Sequence, residues 1–490
     1  MSGATTDATT DAREARGALA ALWSLAGCAP DALERVTLEG VEPALPSSFA
    51  VGTAAQVSIA AAGLAAAELW RLRTGRAQRV AVDLRAAAIE FRSERYLRVD
   101  GGAPATLWDP LAGLYRAGDG RRLRLHTNFP HHRAAITRLL GGADTREAVQ
   151  AALERWQAED FETAANAAGG VVSMLRSSAE WSAHPQAHAL ARLPVLEIER
   201  IGDAAPRPLP TGAAEAAGGA AEAAGGARPL SGMRVLDLTR VVAGPVCGRT
   251  LAAHGAEVLR IASPALPFIH WLVIDTGRGK RSAFVDLASA DGRATLARLV
   301  AGADVFVQSY RPGALAKLGF APEDLARIRP GIVVVSLSAY SHVGPWAGRR
   351  GFDSLVQTVT GFNHEEGRAA GADEPRELPA QALDHGSGQL MAFAAMAARA
   401  RQAREGGSFL VRASLAQTGR WLAGLGRVAN GLAAHDPTLD DVADRLEESD
   451  SDFGRLRAVR HAAALDETPA HFSRPAARIG AHPARWEDGT

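Results

Sequence analysis

Residues 234–261 read RVLDLTRVVAGPVCGRTLAAHGAEVLRI, and the order of patterns in this stretch decides the fold. Arg234–Leu238 is a short apolar run of strand composition, Thr239–Pro245 carries the glycine and proline of a turn, and Val246–His254 makes a compact helix before a second strand at Glu257–Ile261. That is one βαβ unit. Further strands are expected at Ala283–Leu287, Asp304–Gln308 and Ile332–Leu337, with helical segments such as Ala290–Ala301 and Pro322–Ile328 between them. Such alternation predicts an α/β fold with a mainly parallel, doubly wound, Rossmann-like sheet. Its ligand belongs beyond the carboxyl ends of the strands.

Upstream of this unit, Ala213–Gly219 and Ala220–Gly226 are the same heptapeptide, AAEAAGG, flanked by Pro206, Pro208, Pro210 and Pro229. Low complexity between prolines reads as a linker, because each Gly-Gly interrupts helix propagation. The chain therefore divides into an N-terminal tail (1–17), an upstream half (18–205), the linker (206–229), the α/β domain (230–422) and a C-terminal segment (423–490). Thr53–Arg73 reads as a long Ala/Leu helix followed by a strand at Gln78–Leu84. A similar order recurs downstream, where the Ala-rich helix Gly386–Arg404 precedes Gly406-Gly407 and a strand at Ser408–Leu415. A diverged internal duplication accounts for the recurrence; the competing account is that helix–glycine–strand units in an alanine-rich chain resemble one another.

The whole chain, 490 residues, is about three times a ~150-residue domain, so two or three domains are expected. Lys+Arg 54 against Asp+Glu 54 leaves no net charge, which removes the bulk electrostatic argument for nucleic acid or an anionic membrane as partner. Cys28 and Cys247 fit neither a disulfide framework nor a paired-ligand zinc site, so a reducing cytoplasm is expected and no metal. Ala54–Trp70 is the most apolar stretch, but it is mostly alanine and carries Gln56, Ser58 and Glu68, which suits a packed helix better than a membrane span.

Five motifs then stand in order: LSGMRVLDLTRVVAGPVCGRTLAAHGAEVLRI (230–261), GRGKRSAFVDL (277–287), ADVFVQSYRPGALAKLGF (303–320), IVVVSLSAYSHVGPWAGRRGFDSLVQTVTG (332–361) and QALDHGSGQLMAFAAMAAR (381–399). Together they closely resemble the CaiB/BaiF family, the family III CoA-transferases. The resemblance implies that family's sheet with a smaller α+β domain, and an interlocked dimer, here a homodimer or an intrachain pseudo-dimer made by fusion. It also implies transfer of CoA from an acyl-CoA to a carboxylic acid. The Asp384 carboxylate matches the family's nucleophile, which attacks the thioester and passes through an aspartyl-CoA thioester. CoA enters as substrate. The family also implies that Lys280, Arg311 and Lys317, with Ser309 before them, line the CoA site.

Physical chemistry stands beside that resemblance. CoA needs cations, backbone donors and an apolar slot, and the turn after the first strand offers Arg240 for phosphate and Val242 and Ala243 for close backbone approach. No G-x-G-x-x-G is present, so a dinucleotide is not indicated. The chain holds only two lysines, Lys280 and Lys317, and both fall inside the motifs. Asp384 is expected immediately before a helix whose dipole keeps it ionised, with Gly386 and Gly388 offering N–H groups to an oxyanion. Phe352 stands where racemases of the family place a histidine base, and it cannot move a proton. Ala262-Ser263-Pro264 replaces an acidic and a basic residue that family members carry. Two other readings stay open: an acyl-CoA racemase or isomerase, and a catalytically silent acyl-CoA-binding paralogue.

Overall fold

The computed structural model describes residues 3–104, 106–209 and 227–487. In chain order, the elements that build the site are helix α1 (Gly3–Leu25), strand β1 (Val36–Glu39), helix α2 (Val51–Thr74), strand β2 (Val80–Asp83), helix α3 (Leu84–Glu90) and strand β3 (Leu196–Gly202). Beyond residue 227 come β4 (Arg234–Leu238), α4 (Ala243–Ala253), β5 (Glu257–Ala262), β6 (Lys280–Phe284), β7 (Val305–Gln308), β8 (Val333–Ser338), α5 (Asp353–Val359), α6 (Ala382–Glu405), β9 (Ser408–Ser414), α7 (Leu415–Gly424) and β10 (Ala463–Leu465).

The main sheet has seven strands in the order β6-β5-β4-β7-β8-β9-β3. All its pairs are parallel except β9 with β3, which is antiparallel. This is the expected α/β sheet, and its order reverses direction at β4, the crevice where doubly wound sheets bind ligands. Central strands such as β7 and β8 are near-continuous Val and Phe because both faces are covered. The edge strand β3 comes from the upstream half.

A second sheet, β1-β2-β10, pairs β1 with β2 in parallel and β2 with β10 in antiparallel fashion. Strands 446–451 and 454–459 form a hairpin that pairs with Arg98–Val99, and strands 113–116, 122–125 and 172–174 make a small antiparallel sheet with its own core around Leu123, Phe161 and Val172. The C-terminal strands therefore join upstream elements, and none is added to the seven-stranded sheet. Helices α2 and α6 pack along one another in the centre. Helix α2 is long and apolar enough to cross a membrane, but 89% of its most apolar window is buried inside the protein.

Three expectations are corrected. Residues 3–17, read as a tail, belong to α1, whose Ala15, Leu19, Leu22 and Trp23 are buried at helical spacing. The strand expected at 283–287 is Lys280–Phe284, hidden from hydropathy because its first residues are charged: Lys280 pairs with Asp237 and Arg281 with Glu257. Helix α4 starts at Ala243, since Pro245 is tolerated in a first helical turn. The AAEAAGG repeats lie outside the described residues.

Candidate active site

Asp384 is the third residue of α6 and only 7% exposed, so it lies inside the first turn and not ahead of it. Its turn is capped from a distance. Asp353, the first residue of α5, accepts the backbone N–H groups of Leu383 (2.7 Å) and Asp384 (2.9 Å) on Oδ2, while Gln357 donates to Oδ1. A remote carboxylate thus takes the cap position that Gln381 leaves unfilled.

The Asp384 carboxyl faces a second helix end. It accepts the N–H of Ala243, the first residue of α4, which favours its charged form; burial above all, then Asp353 and Glu94, push its pKa well above the usual carboxylate range. Burial raises Asp353 to about 7 against the pull of its hydrogen bonds. Two helix N-termini and two other carboxyls therefore compete over one proton.

Helices α4 and α6 reach this contact because position 388 is glycine: a Cβ there would lie 2.6 Å from the Ala243 carbonyl oxygen and 2.7 Å from Val246 Cβ. Gly386 and Gly388 lie deeper in α6, where backbone N–H groups are bonded within the helix, so neither serves as an oxyanion donor. Their contribution is close packing. The turn before α4 is strained, with Val241 at φ 73°, a region that β-branched residues avoid. Gly244 lets that turn fold onto Thr239, which a Cβ would approach to 2.4 Å.

Lys280 corrects a further expectation. Its Nζ is bound to Asp237 Oδ2 at 2.8 Å and to the Pro245 carbonyl at 2.7 Å, and the side chain is 3% exposed. It braces the turn from beneath and is not free for phosphate; burial lowers its pKa. Arg240 is half-buried and donates to the Pro267 carbonyl while its guanidinium sits 5.0 Å from the Phe129 ring centre. Val242 and Ala243 are buried at the helix start. Arg311 and Lys317 are exposed and Ser309 is half-buried on the loop after β7. Arg311 and Tyr310 border a cavity of about 240 Å³ over the ends of β7, β8 and β9, which neither Ser309 nor Lys317 lines. Arg240 interacts electrostatically with Tyr310, and Arg350 with Arg311.

The upstream half supplies a wall that motif reading missed. His126 stacks on Phe352 with ring centres 3.8 Å apart and planes 8° apart, and Phe129, His131 and His132 continue the cluster to Arg240. Burial pushes His126 and His132 down to about 3, so both are neutral at physiological pH. The run HTNFPHHR (126–133), with three histidines in seven residues, was the available signal. His385 Nε2 meets Glu94 Oε2 at 3.1 Å and its ring stacks on Phe91. Among the described residues no cluster of three or more His, Cys, Asp or Glu is arranged to hold a metal.

Residues 230–438, which contain this site apart from its upstream wall, match the sequence model of CoA-transferase family III. The chain is 33% identical over 221 residues to a probable fatty acyl-CoA transferase of Mycobacterium tuberculosis, covering 42% of this chain and 54% of that protein. It is 34% identical over 152 residues to the succinyl-CoA:glutarate CoA-transferase of Mus musculus, covering 29% and 35%. A crystal structure of a CAIB/BAIF family protein from Brucella suis is 28% identical, with 40% and 55% covered and a TM-score of 0.35. The chain spans between about a third and just over half the length of these curated relatives.

Proposed function

We propose that this protein is a CoA-transferase that moves CoA from an acyl-CoA donor to a carboxylic acid acceptor, with Asp384 as nucleophile. The observation that carries the reading is the Asp384 carboxyl, buried at its own helix N-terminus and facing the N–H of Ala243 at the start of α4. The ionised carboxylate attacks the thioester carbonyl, and the C–S bond breaks to give a mixed anhydride and CoA thiolate. The thiolate then attacks the aspartyl carbonyl, releasing the donor's carboxylate and leaving an aspartyl-CoA thioester. An acceptor carboxylate repeats the sequence in reverse and departs as the new acyl-CoA. Arg240, Arg311 and Arg350 suit an anionic substrate, and the aromatic wall around Phe352 suits an acyl chain. Phe352 cannot move a proton, and burial leaves the stacked His126 too weak a base to take one from carbon, which disfavours racemisation.

Intact-mass spectrometry after exposure to an acyl-CoA, followed by hydroxylamine or borohydride, tests the reading. A CoA adduct at Asp384 is expected, and Asp384→Asn should abolish it and lower transfer by ~10⁴-fold or more while CoA still binds. Turnover retained by that variant, or α-proton exchange without CoA movement, would refute the assignment.

A further inference from the structure

Helix α2 repeats the setting of α6. Both are 24 residues long, and the residue before each has nearly the same backbone: Ala50 at φ −76°, ψ 60° and Gln381 at φ −76°, ψ 63°. Each ends at a glycine of positive φ, Gly75 and Gly406. Each is followed by a strand whose last side chain caps the next helix, Asp83 for α3 and Ser414 for α7. The sheet order β1-β2-β10, parallel then antiparallel, repeats β8-β9-β3. In this correspondence Thr53 occupies the place of Asp384. A distant carboxylate caps both turns: Glu42 Oε1 accepts the Thr53 N–H at 2.7 Å, as Asp353 accepts that of Asp384.

The repeat stops at β1. No described strand in this sheet corresponds to β4, β5, β6 or β7, and helix α1 packs along α2 instead. Over Thr53 the structure holds a cavity of about 940 Å³ between α1, α7 and residues 193–195. Among the described residues, Arg420, Trp421 and Arg427 line it together with Val195, Leu425 and one acid, Glu14. Counting from the capping residues Asp83 and Ser414, Leu425 stands where Glu94 stands beside Asp384, so a carboxylate that repels anions has become an apolar residue.

From these observations we infer that the chain is an internal duplication, and that the cavity over Thr53 is a second, non-catalytic site for a carboxylic acid with an apolar tail. Arg427, whose guanidinium lies 3.9 Å from the Phe49 ring centre, and the remaining nitrogens of Arg420, whose Nη1 donates to the Leu190 and Leu193 carbonyls, suit the carboxylate, and Trp421, Leu425 and Val195 suit the chain; the volume is that of a small-molecule site. No described strand of this sheet carries counterparts of the turns that hold Arg240 and Arg311. The inference does not depend on Asp384 being the nucleophile.

The test titrates octanoate into the full chain by calorimetry, with and without saturating CoA. One equivalent is expected to bind in the presence of CoA, and Arg427→Glu and, separately, Ala21→Trp, which fills the cavity from α1, should each weaken that binding at least ~10-fold with unchanged melting temperature. No binding under saturating CoA would overturn the inference. So would binding that both variants leave at wild-type affinity.

Discussion

Asp353 and Asp384 meet through one helix turn, and their charges are coupled through it. Removing the Asp353 charge removes a repulsion from Asp384, so Asp353→Asn should lower the Asp384 pKa and move the acid limb of the kcat/KM profile to lower pH. An unmoved limb would separate the two carboxyls. The same residue has a stability signature. Its folded-state value near 7 lies above the unfolded carboxylate value of ~3.9, so the folded protein holds a proton that the unfolded chain gives up, and stability falls as pH rises through that window. Urea unfolding across ~pH 4 to 7 should therefore show a shallower decline in Asp353→Asn. Lys280 makes a different prediction from the one its motif suggested. Lys280→Ala leaves Asp237 buried without its cation, and the expected result is a loss of ~3–5 kcal/mol in unfolding free energy, seen as a lower denaturation midpoint. A fully stable variant with weakened CoA affinity would return Lys280 to the phosphate.

Helices α4 and α6 cross where Gly388 meets Ala243, and this crossing brings the Ala243 N–H to the Asp384 carboxyl. Gly388→Ala must push the helices apart by more than a few tenths of an ångström, since both neighbours are backbone or branched side chain. A cost of ~1–3 kcal/mol is expected, with a fall in kcat larger than any change in CoA affinity. Chemical denaturation and steady-state kinetics on the one variant check both. Equal losses in binding and turnover would mean that the crossing supports the fold and not the alignment of Asp384. Alanine makes the rest of the packing possible: α2 and α6 are so rich in it that two 24-residue helices lie together with little side-chain entropy to lose.

The two halves exchange strands across residues 210–226. Strand β3, upstream, closes the edge of the main sheet on β9, while β10, far downstream, pairs with β2. Buried links follow the same route: Arg249 pairs with Asp275 while bonding Ser93 of the upstream half, and His385 meets Glu94. Expressed alone, either half would expose the apolar faces of α2 or α6 and lose a sheet edge. Co-expressed halves, separated anywhere in 210–226, should assemble as a stable 1:1 complex with CoA-transfer activity. Two stable monomeric fragments, with turnover complete in the second, would contradict a site shared between them.

Where structure depends on local pattern, the sequence could be read directly. Strand β4 and the helices 290–301 and 322–328 lie at their expected bounds, because strand and helix periods are written in neighbouring residues. The five ordered motifs likewise carried the resemblance to family III, whose sequence model matches residues 230–438. What folding alone decided is who surrounds the Asp384 carboxylate. Its cap, Asp353, is 31 residues away, Glu94 meets His385 across 291, and His126 finds Phe352 from the other half of the chain. None of these separations has a period, and each pairing exists only because the packed helices and exchanged strands bring the two ends together. Lys280 shows the same limit from the other side: a lone lysine in a turn suggests a ligand contact by composition, and burial against Asp237 gives it a structural one, because a charge removed from water must be paired where it lies.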